Sequence, residues 1–448
     1  MLISIQVDDD GADKVGRLIF IPGDGHSENV KDPNHAQPEI LSKYDGSDWI
    51  DNSCDGWVKV EVQVPGSDTE PLLSKHHATV ISGPPNFSWG INAPTTLFNI
   101  MESIYWYRPG QPAEREVDYD FTKDIWPTLI LPGMISWTNY EALQGHGPST
   151  NGHFASDNII AILKGKDGVK RNNLKNRVFE KLRKPDYEDP TQAGIWWMPR
   201  MSGDNDNMQE AGTFLGGLTP DIRNYTALTK LQYECFRKWK DDPEPLSPNW
   251  TPEPPRNIEY YDKQDQPEQL TLVSLESTIG DSLFPGMETD WIAKEPAIYD
   301  LSISNLRPPF RINYDPPAES TASPVKPGHL SRGLAIPWQS DFWECSSTWW
   351  PSSRPNNVIT KAAYENTMGK SGTQSQYDKA VHTRSDWTRG FRATPDMGQT
   401  ETSDNIPLYS NTDMVRYWHF LGFVRKYQKD YPIGSTSERT FTAWVESE

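Results

Sequence analysis

The sequence predicts an α+β fold, a loop-rich mixed assembly with antiparallel β-sheets in its N-terminal part and short helices in its C-terminal part. Three observations carry this. Val58, Val60, Val62 and Val64 alternate with Lys59, Glu61 and Gln63, the period of a strand with one buried face. Leu97, Phe98, Met101, Ile104 and Tyr105 recur at helical spacing. Finally, 38 Pro and 31 Gly in 448 residues point to long, stiffened loops, while 18 Trp supply the apolar surface that a disordered chain lacks.

Taken in order, the opening residues 1–7 run at once into Asp8-Asp9-Asp10, and nowhere do about eighteen apolar residues follow one another. The expectation is a soluble, cytoplasmic protein with no membrane segment and no recognisable export signal. Residues 57–64 form the first clear strand, and residues 78–82 its neighbour. After Gly83-Pro84-Pro85 comes a helix over 95–106. Nine Lys or Arg lie between Lys164 and Lys184. Leu174, Val178, Phe179 and Leu182 make that segment an amphipathic helix with a solvated basic face. A further helix over 226–239 presents Leu228, Leu231, Cys235, Phe236 and Trp239 on one side, with Cys235 as a small core residue. Six prolines from Pro243 to Pro255 then halt regular structure. They divide the chain into an N-terminal α+β region (1–242), a Pro-rich connection (243–267) and a C-terminal region (268–448). Residues 412–422 read as a capped helix closed by Gly422, and 423–427 as a strand.

Charge excludes some partners. With 43 basic against 62 acidic residues the net charge is −19, which repels nucleic acid and anionic membrane. Three cysteines, Cys54, Cys235 and Cys345, make neither a disulfide framework nor a zinc site, and the histidines lack companion ligands, so no metal is expected.

The densest chemistry runs from Pro337 through Trp338, Asp341, Phe342, Trp343 and Glu344 to Cys345, with Trp349-Trp350-Pro351 behind it. If Pro337 opens a helical turn, Asp341 and Cys345 stand four residues apart on one face. A carboxylate among aromatics that exclude water suits proton abstraction; the plainer alternative is an aromatic core in which both residues merely pack.

This string resembles the signature of the LodA-like and GoxA-like amine oxidases, the lysine ε-oxidase and glycine oxidase family that carries cysteine tryptophylquinone. Trp49-Ile50-Asp51, Gly83-Pro84-Pro85, Met198-Pro199, Leu218-Thr219-Pro220, Phe284-Pro285-Gly286 and the Trp418–Phe423 segment look like further family landmarks in the same order. The resemblance implies a C-terminal catalytic part in which Cys345 is thioether-linked to an oxidised tryptophan, with Trp418 preferred over Trp387. It implies a quinoprotein oxidase of a primary amine on an amino acid or peptide, working through a Schiff base on the quinone, consuming O2 and releasing ammonia and hydrogen peroxide. Asp341 is implied as the base and His382 as a residue that orients the amine or its carboxylate. A flavoprotein maturation partner is implied as well, and a homo-oligomer is allowed. Competing readings are a non-catalytic ligand-binding protein on the same scaffold and, more weakly, a glycoside hydrolase using Asp341 and Glu344.

Overall fold

The computed structural model describes residues 2–7, 16–21, 23–31, 46, 48–63, 66, 68–74, 76–112, 115–185, 198, 227–253, 257–278, 290–302, 310–314, 325–332, 334–344, 354–387, 411–433 and 437–447. Its described strands pair two by two, all antiparallel. In the N-terminal part, β1 (Leu2–Val7) pairs with β2 (Gly16–Ile21) and β3 (Ser27–Asn29) with β4 (Trp49–Asp51). β5 (Cys54–Val58), β6 (Glu61–Val62), β7 (Leu72–Leu73) and β8 (Ala78–Ser82) make two nested ladders, β5 with β8 and β6 with β7. The expected neighbour over 78–82 is therefore present, but the single strand over 57–64 is not. β8 gives out at Ala78, opposite Val58, so the chain breaks at Lys59-Val60 and Val60 and Val62 point into solvent. Further on come β9 (Asn357–Val358) with β10 (Ser385–Asp386), and the long hairpin of β11 (Val424–Ile433) and β12 (Ser437–Glu446).

The expected helix near 95–106 is α1 (Leu97–Trp106), started by a capping box in which Thr96 and Asn99 exchange hydrogen bonds. A π-helical turn over Phe121–Ile125 runs into α2 (Trp126–Ile135), followed by α3 (Tyr140–His146), α4 (Asp157–Lys164) and α5 (Gly168–Phe179). The expected second helix is α6 (Lys230–Asp241), which begins later than Thr226 because Thr229 caps it, again with a reciprocal Gln232. Then come α7 (Gln266–Ser277), α8 (Asp290–Ala293), α9 (Trp338–Glu344), α10 (Lys361–Met368), α11 (Gln374–Ala380) and α12 (Asn411–Tyr417). Among the described residues no helix is long and apolar enough to cross a membrane.

The basic segment keeps Lys166, Lys170, Arg177, Lys181 and Lys184 in solvent, as expected, but not all of its cations. α5 packs on α6, and Arg171, Lys175 and Arg183 are buried. Arg171 donates to the carbonyls of Gly165 and Pro243, and Lys175 Nζ to the Asp242 carbonyl at 2.8 Å, so these cations tie down the start of the Pro-rich connection. The connection continues along the surface of the helices, with the Leu246 amide donating to Leu163 O at 2.9 Å and Trp250 Nε1 to Thr122 Oγ1 at 3.0 Å.

Cores form where these elements meet. One joins Leu131 and Ile135 of α2 to Tyr364, Met368 and the β11–β12 residues Tyr431 and Phe441. A second gathers α4, α5 and α6 around Phe236 and Trp239, with Cys235 buried inside it as expected. A third is aromatic and draws Phe87, Trp338, Phe342, Trp387, Met414 and Leu421 into one cluster, against which Trp418 packs.

Candidate active site

The third core is assembled on α9. Its first residue, Trp338, donates its backbone amide to Asp51 Oδ2 at 2.9 Å and its indole N–H to the Gly25 carbonyl at 2.9 Å. Next to it, Gln339 Oε1 accepts the Ser27 hydroxyl at 2.8 Å. Orphan amides at a helix start need acceptors, and Asp51 of β4 supplies one to Trp338, while the Gly25 carbonyl and the Ser27 hydroxyl engage the side chains of Trp338 and Gln339. The helix therefore begins at Trp338, directly after Pro337, in keeping with the expected helical turn. Asp341 lies on α9 and Cys345 is the residue after its last, Glu344. The side chains of Asp341 and Glu344, and the whole of Cys345, lie outside the described residues.

Opposite α9 packs α12, which runs straight into Trp418. Trp418 opens a 3₁₀ turn over Trp418–Phe420 rather than continuing a helix to Gly422. The backbone leaves the helical region at Tyr417, with φ −127° and ψ 2°, and the turn is closed by the Leu421 amide on Trp418 O at 3.0 Å. Close approach of β12 explains why Gly422 follows: a Cβ there would lie 2.4 Å from the Glu446 side chain. The tighter turn keeps the His419 ring 6.0 Å from that of Trp418 and 4.2 Å from Phe420. Burial lowers the His419 pKa, which favours the neutral imidazole.

Trp418 meets Trp338 edge to face, with ring centroids 5.1 Å apart and planes at 70°, and is only half-buried. Trp387 differs. At 1% exposure it is sealed, its indole N–H donating to Gly422 O at 2.9 Å, its ring 4.7 Å from Phe87 and the Arg354 guanidinium 5.4 Å from its centroid. Trp418 thus keeps part of its surface exposed, whereas Trp387 does not.

His382 sits at the turn after α11, exposed, its ring 6.0 Å from Tyr140. Its described ring contact is thus outside the aromatic cluster that holds Trp418. The other described cysteines offer no activated thiol, since burial raises the pKa of both Cys54 and Cys235.

Asp51, which accepts the Trp338 amide beside this candidate site, entered the sequence reading only as part of a landmark tripeptide. Burial pushes its carboxyl up to about 6, against smaller lowering pulls from the Ser27 hydroxyl and the Trp338 amide. Its Oδ1 is buried and makes no hydrogen bond of ordinary geometry. A cavity of about 510 Å³ lies elsewhere, lined by Leu131, Ile135, Phe154, Val178 and Phe236 with His146 at its wall. It is mostly apolar and takes in none of Trp338, Phe342, Trp387 or Trp418.

Comparison with known proteins bears on this arrangement. The family described as L-lysine epsilon oxidase N-terminal matches residues 5–77, and that described as L-lysine epsilon oxidase C-terminal domain matches residues 199–367. The chain belongs to the LodA-like, L-lysine ε-oxidase family. The two matches contain Gly25, Asp51, Asp341 and Cys345, whereas His382 and Trp418 lie beyond them. The L-lysine 6-oxidase of Marinomonas mediterranea is 23% identical over 396 residues, which are 80% of this chain and 48% of that protein. The chain thus spans about half the length of this curated LodA-like relative. Among solved structures, the Schiff base intermediate of L-Lys ε-oxidase from M. mediterranea with L-Lys aligns with a TM-score of 0.61 at 18% identity, over 97% of this chain and 67% of that one. A second crystal structure of the same LodA-like oxidase gives 0.57 at 18% identity, over 90% and 64%. At this identity the structural likeness establishes the α+β fold.

Proposed function

We propose that this chain is a quinoprotein oxidase that deaminates a primary amine of an amino acid or peptide, with O2 as acceptor and ammonia and hydrogen peroxide as products. The proposed cofactor is cysteine tryptophylquinone built from Cys345 and Trp418. One observation carries the reading: α9, which runs into residue 345, packs against α12, which runs into Trp418, and Trp338 of α9 touches the Trp418 ring. Two segments about seventy residues apart in sequence, α9 and the stretch that ends at Trp418, thus lie side by side, which supports the reading.

The residues fit such a group. Trp418 is partly exposed, Trp338 packs edge to face against it, and the cluster of Phe87, Phe342 and Trp387 behind them excludes water. When formed, the quinone supplies an electrophilic carbonyl and a two-electron sink. Asp341, four residues before Cys345, is the proposed proton acceptor from the carbon that bears the amine. Asp51 and the Gly25 carbonyl hold the start of α9, and so hold Asp341 in register. His382, which the resemblance offers for orienting the amine or its carboxylate, gains no support for that role from its described ring contact, which is with Tyr140.

The test is peptide mapping by mass spectrometry on protein produced together with its flavoprotein partner. The expected product is a cross-linked peptide pair containing Cys345 and Trp418, with two oxygens gained and four hydrogens lost, in protein that releases peroxide from a panel of amino acids and amine-bearing peptides. Free Cys345 and unmodified Trp418 in that material would refute the assignment and leave the ligand-binding reading in its place.

A further inference from the structure

Gly25 stands against Trp418 in a way its backbone alone does not explain. It has φ +78°, a conformation that side chains rarely adopt. Its carbonyl is pinned by Trp338 Nε1 at 2.9 Å and Gln339 Nε2 at 3.4 Å, so the peptide cannot withdraw without breaking those bonds. A Cβ built at this position lies 3.2 Å from Cη2 and 3.3 Å from Cζ2 of Trp418, and the next nearest atom, at 4.0 Å, belongs to Trp338. With no other atom of the Trp418 ring nearer than that, the missing methyl group points at one edge of the indole, the Cη2–Cζ2 bond.

That edge matters chemically. Were the quinone formed on Trp418 with its two carbonyls at the adjacent benzo-ring carbons Cη2 and Cζ2, this would be its reactive edge. Oxygens placed on those carbons project outward from the edge Gly25 faces. We propose that Gly25 is a positioning residue that keeps the Cη2–Cζ2 edge of Trp418 open, giving room to the two quinone oxygens and to the amine that approaches them. This rests on the assignment of Trp418 as the quinone residue and adds to it a steric role for the N-terminal loop. A side chain of any size at position 25 crowds that edge, and the pinned carbonyl prevents relief.

The test compares Gly25→Ala with Gly110→Ala. Gly110 also has positive φ, +87°, but a Cβ there meets nothing within 4 Å, so it carries the backbone strain without the contact. Both variants and the wild type are produced with the flavoprotein partner, and the Cys345–Trp418 peptides are weighed before and after treatment with phenylhydrazine, which condenses with an accessible carbonyl and releases water. Wild type and Gly110→Ala are expected to carry the modification and to label at the same rate. Gly25→Ala is expected either to lack the two added oxygens or to label more slowly by on the order of a hundredfold, as a misplacement of about 1 Å at a reacting centre produces. Full modification and wild-type labelling in Gly25→Ala would overturn the inference while leaving the cofactor assignment intact. So would loss of folding in Gly25→Ala but not in Gly110→Ala, since that would make Gly25 a purely structural glycine. Unmodified Trp418 in the wild type would remove both the inference and the assignment beneath it.

Discussion

At the scale of single residues, Asp51 is the group whose chemistry the fold changes most visibly near the site. Burial raises its pKa from 3.8 to about 6, so the folded protein binds its proton more tightly than the unfolded chain. The contribution to stability is fully present below 3.8 and is lost as the pH rises through about 6. Asp51→Asn keeps an acceptor for the Trp338 amide and has no proton to lose. The difference in melting midpoint between variant and wild type should therefore shift in favour of the variant over that window and stay constant above it. A difference that is flat across the window would show that the carboxylate is already solvated. Trp387 allows a second discrimination. In Trp387→Phe the Gly422 carbonyl loses its donor, at a cost of about 1–3 kcal/mol in urea denaturation, while the Cys345–Trp418 peptide pair keeps its mass; loss of the cross-link in a folded variant would instead point to Trp387 as the modified residue.

At the scale of elements, several boundaries were legible because a local signal sets them. Thr96 and Thr229 each meet a hydrogen-bonding residue three positions later, and α1 and α6 begin where those capping pairs place them. Elements failed to follow the sequence pattern where the deciding partner was distant. Valine alternation continues past residue 58, but β8 ends opposite it and the next ladder, β6 with β7, begins only at Glu61. Trp418 sits in a helical pattern, yet β12 and its Glu446 crowd the chain at Gly422 and the helix gives way to a tighter turn. The basic stretch shows the same dependence: nothing in its spacing says that Arg171 and Lys175 serve carbonyls at the end of α6 and the start of the connection. Arg171→Met, which keeps the aliphatic stem, should cost about 2–3 kcal/mol by leaving two carbonyls without their charged donor. Calorimetry that finds no change would mean those carbonyls are served by water.

At the scale of the whole molecule, the Pro-rich stretch does not separate the hydrophobic clusters. Ile91, Leu131 and Ile135 share a core with Tyr364, Tyr431 and Phe441, and Phe87 shares one with Trp338, Trp387 and Met414. A fragment of residues 268–448 produced alone should therefore lack the fixed tertiary packing seen in near-ultraviolet circular dichroism, and a native-like aromatic spectrum from that fragment would show that the C-terminal region is independent. The sequence by itself determined the fold class, the presence of helices near 95–106 and 226–239, the burial of Cys235 and the chemistry concentrated between Pro337 and Cys345, because propensity, periodicity and composition act over a few residues. Only the tertiary structure decided that Trp418 lies open while Trp387 is sealed, that Asp51 holds the start of α9, and that Gly25 borders the Trp418 ring. Those facts depend on contacts between segments hundreds of residues apart, and no local pattern encodes which distant surface a side chain will meet.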